Sequence, residues 1–334
     1  MHISLAQGCE DEPVPGATDS GIPKKETMTV FGYLQPEFDA FLTDPSENTF
    51  KFRRARLGVR GRVNKSFSYY FMLETSDFIG ADQNIFLMDA FVSYDKHLWA
   101  KASMGSFKQP FGREVQQACH NLTTIDRAIV SDQLVAPQRD LGIMLLGGSN
   151  QTQFKYMVAV MNGRGLGVKD NNNKKDLVSR ITYAPYDWIS LGGSFRYGYP
   201  NDDKDRTTYG IDMELTKWNF TLVSEYIYDK GDYNRAAGGG CGATPLLLED
   251  ERAGAYVMLS YDIKGMKQWE PVFKYEYFDQ DINLSNEMYQ EMMTLGLNYF
   301  ANKKTRFQLN YQNKIEKENA IDNDALLFQV QLKF

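Results

Sequence analysis

The sequence predicts an all-β protein, a transmembrane antiparallel β-barrel of sixteen strands, and three observations predict it. From about Met28 onward, apolar and polar residues alternate with period two in segments near the ~9 to 11 residues a tilted strand needs to cross a bilayer. The connections between segments alternate strictly between short and long. Aromatic residues of one parity recur at the segment ends nearest the short connections.

Before the first segment, the stretch 1–27 reads as a flexible tail. Ala6-Gln7-Gly8-Cys9 ends in small residues like the close of a secretory signal, with Cys9 either acylated or incidental, and 10–27 is rich in Pro, Gly and charge. The rest of the chain, 28–334, is expected to be the barrel. Its strands fall at 29–41, 50–63, 66–78, 85–94, 98–107, 139–148, 152–162 and 177–184, and then at 188–198, 207–216, 219–229, 252–263, 268–279, 290–301, 305–314 and 324–334. The even number suits a bacterial barrel, with both chain ends on the periplasmic, short-turn side and the long loops outside.

Parity within the strands separates a lipid face from a water face. In the second segment Ala55, Leu57, Val59 and Val63 oppose Arg54, Arg56, Arg60 and Arg62. In the last, Leu326, Phe328, Val330, Leu332 and Phe334 oppose Ala325, Leu327, Gln329, Gln331 and Lys333. Outward aromatics at the short-turn ends, among them Phe67, Tyr94, Phe154, Tyr183, Phe220, Tyr261, Trp269, Tyr299 and Phe307, form a girdle where amphipathic rings favour the membrane interface.

Composition agrees and removes other classes. The chain has 334 residues, a net charge of −6 and 20 Tyr and 21 Phe. A mean hydropathy of −0.46 is polar for so aromatic a sequence, as expected when every second strand residue faces water. No uninterrupted apolar run reaches the ~18 residues of a spanning helix. The pI of about 5.3 argues against nucleic acid as a partner. Three dispersed cysteines and three histidines without an HExxH pair support neither a metal site nor a cofactor, and no catalytic constellation is present, so no enzyme is expected.

Sixteen strands enclose a lumen too wide for side chains to fill. The longest connection, 108–138, lies between the fifth and sixth strands, and at roughly 31 residues exceeds an ordinary surface loop. Its apolar positions Phe111, Val115, Leu122, Ile125, Ile129 and Leu134 anticipate a segment folded into the lumen as a constriction, an external loop being the alternative. Inward parity gives the lumen a slight positive balance. The candidate anion-binding residues lining the pore are Arg54, Arg56, Arg60, Arg62 and Lys101, with Lys108 and Arg127 of the long segment. Glu74, Asp89, Glu114, Asp126 and Asp132 are the candidate constriction acids. If they pair with the arginines, the lumen carries a transverse field and no anion site; both readings stay open. Cys119 and Cys241 lie in two long loops on an oxidising side of the cell, so a disulfide and two separate thiols are both compatible with the sequence.

Three runs carry a family resemblance: Phe52-Arg53-Arg54-Ala55-Arg56-Leu57-Gly58-Val59-Arg60-Gly61, Phe67-Ser68-Tyr69-Tyr70-Phe71, and Gly105-Ser106-Phe107-Lys108-Gln109-Pro110-Phe111-Gly112. Together they resemble the phosphate-selective porin O and P family, and the terminal Phe334 resembles a barrel-assembly signal. The resemblance implies a sixteen-stranded barrel with the third loop inside, a homotrimer in the outer membrane, and passive diffusion of small hydrophilic solutes with a preference for anions such as phosphate. A non-selective porin and a plugged barrel serving as scaffold or receptor are the alternatives. Outer-membrane lipid and lipopolysaccharide are the expected surroundings. Of the family's basic residues, the Arg53-Arg54 pair is the part with a matching motif; strict parity turns Arg54 inward and leaves Arg53 near the outer rim, facing lipopolysaccharide phosphate.

Overall fold

The computed structural model describes residues 28–43, 46–79, 85–170, 172–201, 204–233, 248–284, 289–315 and 323–334. The leader with Cys9, and Cys241 with its glycine-rich loop, lie outside the described residues, and so does their chemistry.

Sixteen strands follow one another as neighbours in a single antiparallel sheet. They are β1 Met28–Phe41, β2 Glu47–Arg62, β3 Phe67–Glu74, β4 Phe86–His97, β5 Ala100–Lys108, β6 Arg139–Gly147, β7 Phe154–Met161 and β8 Asp176–Tyr186, then β9 Ile189–Gly198, β10 Arg206–Lys217, β11 Phe220–Gly231, β12 Glu251–Tyr261, β13 Trp269–Asp279, β14 Tyr289–Phe300, β15 Thr305–Ile315 and β16 Ala325–Lys333. β1 pairs with β16 from Tyr33↔Lys333 to Phe41↔Ala325, so the sheet closes and keeps no edge. Gly32 and Phe334 exchange both backbone hydrogen bonds, at 3.2 and 3.0 Å.

The predicted parity of the last strand is the observed one: Leu326, Phe328 and Leu332 are exposed, while Gln329 and Gln331 are buried on the opposite face. An exposed apolar face over a buried polar one is the arrangement of a barrel in lipid. The predicted girdle closes up across the strands. Phe67 meets Tyr94 at 5.3 Å, Phe220 meets Tyr261 at 4.4 Å, and Trp269 meets Tyr299 at 4.6 Å between ring centroids. The opposite, long-loop rim uses tyrosine hydroxyls that donate to carboxylates, Tyr228 to Glu251 at 3.2 Å, Tyr275 to Glu291 at 2.8 Å, and Tyr311 to Asp324.

Several boundaries differ by one to four residues from the predicted ones, and two of these shifts have local reasons. The third strand stops at Glu74, whose carboxylate takes the backbone N–H groups of Ala55 (2.8 Å) and Ser76 (3.2 Å) and turns the chain into the short helix α1, Ser76–Ile79. The fourth runs on through the predicted turn to His97, because the Asp95 N–H bonds the Ser66 carbonyl at 2.9 Å and the Asp95 side chain bonds Arg62.

Candidate functional site

The site begins at an irregularity in β1 and β2. Gln35 pairs with Arg54 but Pro36 pairs with Phe52, which leaves Arg53 as an extra, bulged residue. Proline cannot donate to the ladder, and a bulge is where a sheet tolerates it. The bulge switches the inward parity of β2. On one side of it the inward residues are Arg54, Arg56, Arg60 and Arg62; on the other they are Arg53 and Lys51, and Lys51 forms ion pairs with Glu37 (3.4 Å) and Asp39 of β1. Arg53 therefore does not point to lipopolysaccharide as strict parity requires. It turns inward and bonds Asp126 of the β5–β6 connection.

The predicted basic residues divide by their partners. Arg56 lies opposite Glu74 and bonds it at 2.7 Å, and Arg62 bonds Asp95 at 2.5 and 2.8 Å. Arg60 stacks on Phe31, 5.2 Å from the ring centroid, and the Lys101 ammonium donates to the Gly148 carbonyl at 3.3 Å. Arg54 donates to the Gln35 amide oxygen at 2.8 Å. The Gln35 amide donates to Gln331 at 2.7 Å, and Gln331 also accepts from Arg306 at 3.1 Å. Two buried guanidiniums are thus bridged by two neutral amides across the closing seam.

The connection between β5 and β6 carries the short helices α2, Arg113–Gln116, and α3, Ile129–Leu134, with a 3₁₀ turn Cys119–Asn121 between them. Its backbone is bonded by inward side chains of the later strands. Glu225 of β11 accepts from the N–H groups of Arg113 (2.8 Å) and Glu114 (3.3 Å), taking the first donors of α2 from another element. The turn before α2 needs Gly112: its φ is +68°, and an added Cβ would stand 2.6 Å from the Glu225 carboxylate. α3 rides over β12 at Gly254, where a Cβ would stand 3.0 Å from Val130. Further on, the Ile129 N–H bonds Glu276 at 2.7 Å and the Ile125 N–H bonds Asn310 at 2.8 Å. Arg306 donates to the Leu122 and His120 carbonyls at 2.9 and 3.2 Å. At the other end Arg196 and Arg206 donate to the Ala136 carbonyl at 2.8 and 2.7 Å.

The remaining predicted residues belong to this segment or face it. Glu114 accepts from the Ala128 N–H at 2.8 Å, stapling the segment to itself, and Arg127 and Lys108 each donate to the Gln117 carbonyl at 3.0 Å. Asp132 accepts from Gln138 at 3.2 Å, and Asp89 bonds Arg139 at 3.0 and 3.2 Å. Cys119 is buried, its sulfur accepting from Arg56 at 3.4 Å. Burial alone would raise the Asp126 carboxyl; the Arg53 charge, the hydrogen bond from Gln312 and the Lys274 charge hold it below the usual carboxylate range. Residues outside the predicted set also shape the site, Glu225, Arg206 and Arg113 among them. Glu225 and Arg206 were legible as one more step of strand parity, and Arg113, ion-paired with Glu214, follows directly on the glycine motif.

A closed sixteen-strand barrel with an apolar exterior and a charged, polar interior defines the class, an outer-membrane diffusion channel. The chain belongs to the family described as Phosphate-selective porin O and P, which it matches over residues 35–216 and 251–334. Solved structures share the fold at low identity. The anion-selective porin from Comamonas acidovorans has a TM-score of 0.69 at 13% identity over 93% of this chain and 100% of that one. Salmonella typhi OmpF in complex with daunomycin has 0.69 at 11% identity over 92% and 98%. The trimer form of Vibrio cholerae OmpT has 0.65 at 11% identity over 92% and 99%. A comparison with curated proteins finds no match. Family and fold together describe a channel.

Proposed function

We propose that this porin passes small hydrophilic solutes with a preference for anions such as phosphate, and that the segment between β5 and β6 lies inside the lumen as its constriction. The observation that carries the anion preference is the Arg54–Gln35–Gln331–Arg306 chain. Neutral amides let the two guanidinium fields add, where a carboxylate between them would cancel them. Support for the constriction comes from the partners of the β5–β6 segment, inward side chains of β9, β11, β13 and β15 together with Arg53 of β2. Strands so widely separated around the ring are reached together most directly across the interior.

The functional unit on this reading is a homotrimer in the outer membrane, with both chain ends periplasmic and the long loops facing lipopolysaccharide. The test is reversal potential across planar bilayers under a salt gradient, with and without added phosphate. Anion-favouring potentials that shift further with phosphate support the proposal; a cation-favouring channel or a silent barrel overturns it. A second reading, a non-selective porin with a transverse field, is favoured by the ion pairs Arg56–Glu74, Arg62–Asp95 and Arg139–Asp89, and predicts potentials near zero.

A further inference from the structure

At the short-turn rim, β10 ends at Lys217 and passes into β11 through Trp218 and Asn219, whose φ values of 53° and 69° make a mirror-image hairpin turn suited to strand twist. The neighbouring β8–β9 turn carries Tyr186 and Trp188, stacked at 5.6 Å with an interplanar angle of 2°. Lys217 lies between the two turns, its ammonium 5.3 Å from the Trp188 ring and 4.8 Å from the Trp218 ring. The rings are open to the surroundings: Trp218 is 81%, Tyr186 63% and Trp188 42% exposed. Lys217 has the same outward parity as the exposed Ile211 and stands about 20 Å along the strand from it, the distance from the lipid-facing belt to its boundary.

Asp187 stands between Tyr186 and Trp188 in the same turn, but it forms no ion pair with Lys217. Among the described residues no carboxylate lies within ion-pair distance of Lys217, and none accepts from either indole N–H. Two indole faces hold the ammonium by cation–π attraction, which fixes its place but does not saturate its three donors. The missing component is an anionic acceptor seated at a membrane boundary, with an apolar body that continues down the exposed column of β10.

We propose that Lys217, framed by Trp188 and Trp218, is a binding site for the phosphate of a phospholipid headgroup. The ammonium supplies a charge-assisted hydrogen bond, the indole N–H groups supply further donors, and the rings cover the glycerol region. The site differs from the lumen in facing outward, and it needs no permeating solute. Assigning it to the inner leaflet rests on the chain orientation proposed above; the lipid contact does not.

The test is native mass spectrometry of the detergent-solubilised protein titrated with phosphatidylglycerol or with diacylglycerol of the same chains. Wild type should retain phosphatidylglycerol in preference to diacylglycerol. Lys217→Met should lower that occupancy roughly fivefold, the effect expected of one lysine at an anionic surface, while Lys264→Met in another exposed turn should not. Heat-modifiable migration on gels confirms that both variants are folded. Equal retention of the two lipids, an unchanged Lys217→Met variant, or displacement of phosphatidylglycerol by equimolar inorganic phosphate would overturn the proposal, the last by making the site one for a free anion.

Discussion

Arg53, the bulged residue of β2, donates its guanidinium to Asp126, 73 residues further along the chain in the segment between β5 and β6. A ladder defect at Pro36 is thereby converted into an anchor for the segment between β5 and β6. Gln312 of β15 holds the other Asp126 oxygen at 3.0 Å, so the carboxylate ties β2 and β15 to one point of the segment.

Arg53→Gln should loosen that point without unfolding the barrel. The lost charged hydrogen bond is worth ~1 to 2 kcal/mol, roughly a 5- to 30-fold rise in transient release of the segment. Single-channel records should show more frequent open-channel flicker at unchanged mean folding, and a variant as quiet as wild type would show that Gln312 suffices.

The pH dependence of the same contact has a definite sign. Because Asp126 is held below its ordinary value of 3.8, its charged form is favoured in the folded state. The contribution is complete above that value and is lost as pH falls through the lower folded one. Flicker should stay flat from pH 7 to about 4 and rise only below it. A titration midpoint above 5 in bilayer recordings would assign the change to another group.

Selectivity should respond unequally to the inward arginines. A unit charge ~7 Å from an ion in water contributes about 0.6 kcal/mol, so Arg54→Gln and Arg306→Gln should each lower the anion-to-cation permeability ratio roughly two- to threefold. Arg56→Gln should do the same, but the double variant with Glu74→Gln should recover, since that pair leaves together. Reversal potentials of the four variants separate an amide-bridged anion site from a balanced field.

Gly112→Ala should cost about 1 to 2 kcal/mol, because φ of +68° disfavours a Cβ and the new methyl would press on Glu225. The expected readout is altered conductance with a lowered temperature for the heat-modifiable gel shift. Normal values of both would show that the turn can refold around a side chain.

Cys119, only 1% exposed, should resist alkylation until the barrel is unfolded. Rapid labelling at Cys119 itself, located by peptide mapping of the alkylated native protein, would mean that the segment around the 3₁₀ turn opens.

The barrel was legible because its information is local and repeated. Leu326 to Phe334 show their two faces without reference to any other strand, and the turn-side aromatics do likewise. Arg53 was not legible by parity, because a bulge is a count of two residues against one and depends on the partner strand. Its available signal was Pro36, a proline inside an otherwise regular strand. The charge pairs were harder still. Arg180 and Asp212 meet at 2.5 and 2.9 Å across Gly192, on the strand between theirs, and alternation along one strand says nothing of what stands two strands away.

The closing seam has a consequence for how the molecule is made. The Gln35–Gln331 hydrogen bond joins residues 296 positions apart, so the ring cannot shut until the last strand has emerged. The partners of the β5–β6 segment on β9 to β15 are likewise synthesised after it. Biogenesis therefore runs against the loop-closure entropy of almost the whole chain. A chain truncated before β16 keeps fifteen strands of intact alternation, yet presents two open edges and leaves Ile125 of the β5–β6 segment without the Ala325 and Leu327 side chains it packs against.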